Sequence, residues 1–93
     1  MTTIPIAVFT LGRTLVTAAA LKALNPDDIK SSLLRHQAGD WGDLCEEDKR
    51  TNDYDLEHGE RLLSAYTDTN CNKFWIITER DRSVTTVLLP EDY

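Results

Sequence analysis

Two clusters of turn-forming residues, Asp68-Thr69-Asn70-Cys71-Asn72 and Arg80-Asp81-Arg82, divide the last third of this chain into three β-branched and aromatic runs: Arg61 to Thr67, Lys73 to Glu79 and Ser83 to Leu89. Connections this short join antiparallel neighbours, so three adjacent strands are the constraint that the rest of the chain must satisfy. In the middle run Phe74, Ile76 and Thr78 take one face, and Trp75, Ile77 and Glu79 take the other. Both faces are largely apolar, which predicts a central strand covered on each side, with helices supplying the cover on one face.

Those helices must come from the N-terminal half. Ala18 to Leu24 is helix-forming by propensity. A better-signalled helix runs from Pro26 to about Ala38: Asn25 can cap it, Pro26 suits its first position, and Asp27 and Asp28 meet its positive end. Ile29, Leu33 and His36 share one face of it, and Gly39 supplies a left-handed stop. A third helix, Glu46 to His58, is polar nearly all round, with Tyr54 and Leu56 as its apolar anchors, and should attach loosely. Ahead of the helices, Ile4 to Phe9 reads as an extended segment that Pro5 confines to a sheet edge, followed by a short strand at Thr14-Leu15-Val16. The expected fold class is α+β: N-terminal helices packed on a small antiparallel sheet of three C-terminal strands, with a fourth, N-terminal strand at its edge. A chain of 93 residues holds one such domain.

Charge is distributed unevenly. The chain carries a net charge of −6. Residues 40 to 60 hold nine acids and two bases, a net of −7, whereas the other 72 residues hold seven acids and eight bases, a net of +1. Acidity of this kind repels phosphate and argues against direct DNA binding and against a charged membrane surface. No apolar run approaches the ~20 residues of a membrane helix. No positive leader precedes the first apolar segment, which points to the cytoplasm. Cys45 and Cys71 are isolated from each other and from histidines at ligand spacing, so reduced thiols are expected, with no metal and no cofactor.

Three sets of residues could carry function. The first is catalytic: His36, Glu79 and Arg82 could serve as acid, base and phosphate clamp in metal-independent RNA cleavage, the work of a small ribonuclease-like toxin. The second is Trp41, a large aromatic between two glycines and two aspartates, a residue type enriched where proteins bind one another. The third is the acidic segment. As a helix, residues 46 to 58 would place six carboxylates along about 20 Å, a density near that of a nucleic-acid strand, with Glu46, Asp53 and Glu57 forming one stripe. Trp41, Asp43, Glu46, Asp53 and Glu57 together form a candidate binding surface for another protein with a basic face.

The run Arg35-His36-Gln37-Ala38-Gly39-Asp40-Trp41-Gly42-Asp43-Leu44, with Leu63-Ser64-Ala65-Tyr66, Trp75-Ile76-Ile77-Thr78-Glu79, Asp81-Arg82-Ser83 and Thr85-Thr86-Val87-Leu88-Leu89-Pro90, resembles a family of short bacterial proteins. These are labelled plasmid-related and are associated with plasmids, phages and integrated elements. The resemblance covers about residues 12 to 93 and carries over no catalytic residue, because the family has no assigned activity. What it implies is context, namely an accessory protein of mobile elements with a role in defence, counter-defence or toxin–antitoxin systems. Asn70-Cys71-Asn72 departs from the similar proteins, which tend to have glycine at that turn. The functional expectation is a protein-interaction module, a counter-defence inhibitor that covers the basic surface of a nucleic-acid-binding host protein, with the ribonuclease as the alternative.

Overall fold

The computed structural model describes residues 6–93. The elements are β1 (Arg13–Val16), α1 (Ala18–Ala23), α2 (Pro26–Gln37), α3 (Glu46–Glu57), β2 (Leu62–Thr67), β3 (Lys73–Thr78) and β4 (Val84–Leu88), with a closing 3-10 turn at Pro90–Asp92. They build an α+β fold on one four-stranded sheet of order β1-β4-β3-β2. β2, β3 and β4 form the expected antiparallel meander, with β3 inside it. The fourth strand runs parallel to β4, which makes the sheet mixed.

Strand alternation sorts the sheet's residues into two faces. Leu62, Ser64 and Tyr66 of β2, Phe74, Ile76 and Thr78 of β3, and Thr85 and Val87 of β4 all point inward and are buried. Ala20 of α1, Leu24 at its C-terminal end and Ile29 of α2 close over Tyr66, Phe74, Ile76 and Val87, with Val16, Leu33 and Leu89 packed around them. The opposite face is covered more thinly. There the C-terminal turn lays Tyr93 edge-on to Trp75, with ring centroids 5.6 Å apart, while the Arg61 guanidinium stacks on Tyr93.

Helix boundaries follow local chemistry. Asn25 caps α2 by accepting the Asp27 N–H at 2.8 Å, and Thr17 caps α1 by accepting the Ala20 N–H at 3.1 Å. Gly39, with φ of +82°, ends α2 as its position predicts.

Two expectations need correction. The edge strand is Arg13–Val16, and Ile6 to Phe9 form no strand; Ile4 and Pro5 lie outside the described residues. Instead the Val8 N–H bonds the Gln37 carbonyl and the Phe9 ring inserts beside His36 and Trp41, so this segment caps one end of the layer between helices and sheet. The second correction concerns α3. Tyr54 does not anchor it, being 59% exposed, and Asn52 is the residue that turns inward.

The β2–β3 connection is organised by Asp68, whose carboxylate accepts the N–H groups of Asn70 and Asn72 at 2.9 and 2.8 Å. Within it Cys71 takes the left-handed conformation, φ +66°, which costs a side-chain-bearing residue roughly 1–2 kcal/mol and glycine little. Cys71→Gly is therefore expected to raise the unfolding free energy by up to ~1 kcal/mol, read as a higher midpoint in urea; an unchanged or lower midpoint contradicts the strain.

Candidate functional site

His36 projects from the last turn of α2 onto the sheet and is completely buried. Its Nδ1 lies 2.5 Å from Ser64 Oγ on β2, and its Nε2 lies 2.8 Å from Thr78 Oγ1 on β3. Thr78 Oγ1 is in turn 2.7 Å from Thr85 Oγ1 on β4, and the Thr85 hydroxyl meets the Leu11 carbonyl at 2.7 Å. A carbonyl can only accept, and that fixes every proton in the chain. Thr85 donates to Leu11 and so accepts from Thr78; Thr78 then accepts from His36 Nε2–H, and Nδ1 accepts from Ser64. The imidazole is neutral, in one tautomer, with both nitrogens occupied. Burial, helped by the positive charge of Arg82, pushes its pKa from 6.5 down to about 4.

Aromatic rings seal this chain. Phe9 stands edge-on to the imidazole at 5.3 Å and Trp41 at 5.7 Å. Trp41 is 3% exposed, so it fills the core from its loop and offers no surface to a partner. Its Nε1–H donates to Asp53 Oδ1 of α3 at 2.8 Å. The surrounding loop is equally committed. Arg35 bonds Asp40 at 2.7 and 3.2 Å, which holds the Asp40 carboxyl below the usual range, and the Tyr66 hydroxyl donates to the Asp40 carbonyl. Gly42 passes so close to β2 that a Cβ there would sit 2.0 Å from the Ala65 carbonyl oxygen.

The proposed catalytic set is not assembled. Arg82 donates to the backbone carbonyls of Glu60, Glu79 and Asp55, tying the end of α3 to the β3–β4 turn. Glu79 follows β3 on the face opposite His36, exposed and 3.9 Å from Arg61. His36 has no free lone pair and no open surface, and neither of its presumed partners bonds it.

The binding set divides in two. Trp41 and Asp53 satisfy each other, and Asp43 accepts the Thr67 hydroxyl at 2.9 Å, so these three are structural. Glu46 and Glu57 are exposed, with Glu46 3.6 Å from Lys49. Asn52, which sequence reasoning passed over, seats the helix: its amide donates to the Leu63 carbonyl at 2.5 Å and accepts the Leu63 N–H at 3.2 Å. The first-turn acids Glu46, Glu47 and Asp48 complement the helix dipole, since Cys45 provides no side-chain cap. Facing solvent are Glu46, Glu47, Arg50, Tyr54, Glu57 and His58, with the Tyr54 and His58 rings stacked at 3.8 Å. This outer face of α3 is the candidate site: acidic, aromatic at its centre, and held at a fixed orientation by Asn52 and Asp53. Among the described residues no group of His, Cys, Asp or Glu could hold a metal ion, and no helix is long and apolar enough to cross a membrane.

No protein family, curated protein or solved structure matches this chain.

The buried imidazole makes stability depend on pH. Because the folded pKa lies below that of the unfolded chain, the unfolded state takes up a proton first as pH falls. The contribution of neutral His36 is complete above pH ~6.5 and is lost between about 6.5 and 4, a change of ~3 kcal/mol. Urea unfolding across that interval should show the loss in wild type and a much flatter profile in His36→Gln; parallel profiles would contradict the assignment.

Proposed function

We propose that this chain is a protein-interaction module, an accessory protein of mobile genetic elements that acts in the cytoplasm as a counter-defence inhibitor. It presents the outer face of α3 to the basic surface of a nucleic-acid-binding host protein. The observation that carries this reading is the separation of attachment from display. Asn52 and Asp53 hold the helix to the fold, whereas Glu46, Glu47, Tyr54 and Glu57 make no side-chain hydrogen bond to the sheet or its loops. All of the net negative charge lies in the segment that contains this face, since the remaining residues carry a net of +1. A charged face of this kind accelerates encounter with an oppositely charged protein, and an exposed aromatic at its centre supplies the apolar contact that slows release. Tyr54 takes the anchoring role for which Trp41 is too deeply buried. The resemblance to plasmid-related proteins supports the biological context, and the exposed free thiols of Cys45 and Cys71 suit a reducing compartment.

Reversing charge on the outer face alone tests the reading. A variant with Glu46→Lys, Glu47→Lys and Glu57→Lys leaves Asp53 and its bond to Trp41 untouched; the two first-turn reversals weaken the helix by roughly 1 kcal/mol each, which the attachments through Asn52 and Asp53 should absorb with the wild-type circular dichroism kept. In pull-downs from the native host, wild type is expected to retain a basic nucleic-acid-binding protein that the variant loses. The purified pair should associate at least ~10-fold faster at low than at physiological salt. Equal capture by both forms, or an association rate insensitive to salt, overturns the proposal.

A further inference from the structure

The two borders of the sheet are treated in opposite ways. β2 is closed along its outer side: Asn52 engages both the N–H and the carbonyl of Leu63, the Ala65 N–H bonds the Trp41 carbonyl at 3.3 Å, and the Ala65 carbonyl accepts the Asp43 N–H at 2.7 Å. β1, at the other border, has no such cover among the described residues. The N–H groups of Arg13 and Thr17 bond the Ser83 and Val87 carbonyls of β4, and the alternation of a parallel ladder turns the peptide groups of Thr14 and Val16 outward. No described residue pairs with them. Leu15, between them, is 41% exposed. An uncovered edge strand is a template for another strand.

We propose that two copies of this chain join through β1, antiparallel about a two-fold axis at Leu15, so that the four-stranded sheet continues into a second one. The outward peptide groups define this register. Placing Thr14 opposite the partner's Val16, and Val16 opposite the partner's Thr14, uses all of them and forms four backbone hydrogen bonds. A slip by one residue presents groups already bonded to β4, and moving the axis to Thr14 or Val16 forfeits one of the two pairs. In the chosen register the two Leu15 side chains meet at the axis. Arg13 then falls opposite the partner's Thr17, whose hydroxyl is held by Asp92 at 2.7 Å in the same chain. Each Arg13, which has no ion-pair partner among the described residues, thereby gains a carboxylate across the interface.

The charge of the whole molecule permits this approach at β1. The acidic segment lies at the β2 border, three strand spacings or about 14 Å away, beyond the ~8 Å screening length of physiological salt. Around β1 and α1 the charged residues are Arg13, Lys22 and Asp92, whose carboxylate holds the Thr17 hydroxyl, so bases outnumber acids there. Two copies of a chain with a net charge of −6 can therefore meet along the one border that is not acidic.

Sedimentation of the full chain over a wide concentration range tests the proposal. Wild type is expected to show a reversible monomer–dimer equilibrium. Thr14→Pro removes an outward N–H and leaves the bonds to β4 intact, so it should raise the dimer dissociation constant at least ~10-fold while preserving the circular dichroism. Arg13→Glu, at an exposed position, should raise it several-fold by setting like charges against Asp92. A wild type that stays monomeric throughout, or a dimer that both variants leave unchanged, overturns the proposal. If Thr14→Pro does not fold, Arg13→Glu decides, and an unaltered dimer in that variant is equally fatal.

Discussion

The directional hydrogen-bond chain from Ser64 through His36, Thr78 and Thr85 to the Leu11 carbonyl ties together more of this molecule than any other contact. It joins α2 to β2, β3 and β4 and reaches the N-terminal segment that closes over them. A chain of this kind tolerates no missing member, since each buried polar group left without a partner costs about 1–3 kcal/mol. Complete, it specifies one arrangement: α2 can dock on the sheet only at the register where the imidazole bridges β2 and β3. The apolar cluster of Ala20, Leu24, Ile29, Tyr66, Phe74, Ile76 and Val87 supplies the driving force at the other end of the same layer, but such a cluster is permissive about register. A small domain with few apolar residues to spend gains uniqueness from the polar end.

The architecture was largely legible in the sequence. Period-two runs between turn clusters placed β2, β3 and β4 within a residue or two, and Asn25-Pro26 with Asp27 and Asp28 marked the start of α2, because those signals act locally. The N-terminal segment was misread because extended propensity and Pro5 suit an edge strand equally well wherever it lies. What decides the edge is long-range, namely Phe9 entering the gap beside His36 and β1 taking the open side of β4. The parallel pairing of β1 with β4 likewise joins residues about seventy apart and leaves no mark on local pattern.

The site was legible in its parts and misassigned in its roles. His36 on the apolar face of a helix, and Ser64 on the buried face of a strand, announce an internal hydrogen bond as readily as a catalytic pair, and burial chose the former. Trp41 between glycines and aspartates suits a partner contact or a core plug equally in residue type, and Gly42, by its close approach to Ala65, lets the indole turn inward. Asn52 was hidden inside a run of polar residues, and Asp53 in the same run reads as one more acid of the outward stripe. Nothing in composition separates the polar side chain that bonds a strand edge from its neighbours that face water.

That pair explains how an almost wholly polar helix can belong to a stable fold. Packing normally attaches a helix through an apolar stripe, and α3 has only Leu56 for that purpose. Asn52 replaces the stripe by imitating a neighbouring strand, with its amide pairing the Leu63 backbone as another peptide group would, and Asp53 adds a second point of attachment on the Trp41 indole. The Asn52 bonds also cover part of the β2 border, and with these two attachments made the outward positions of α3 are free of hydrogen bonds to the sheet. Mutation can therefore alter the charge and shape of the outer face without disturbing the core, which is the property required of a surface that must follow a changing partner. Among the described residues the opposite border has no such closure, so the asymmetry between β2 and β1 divides the molecule into one side that displays charge and one that offers backbone.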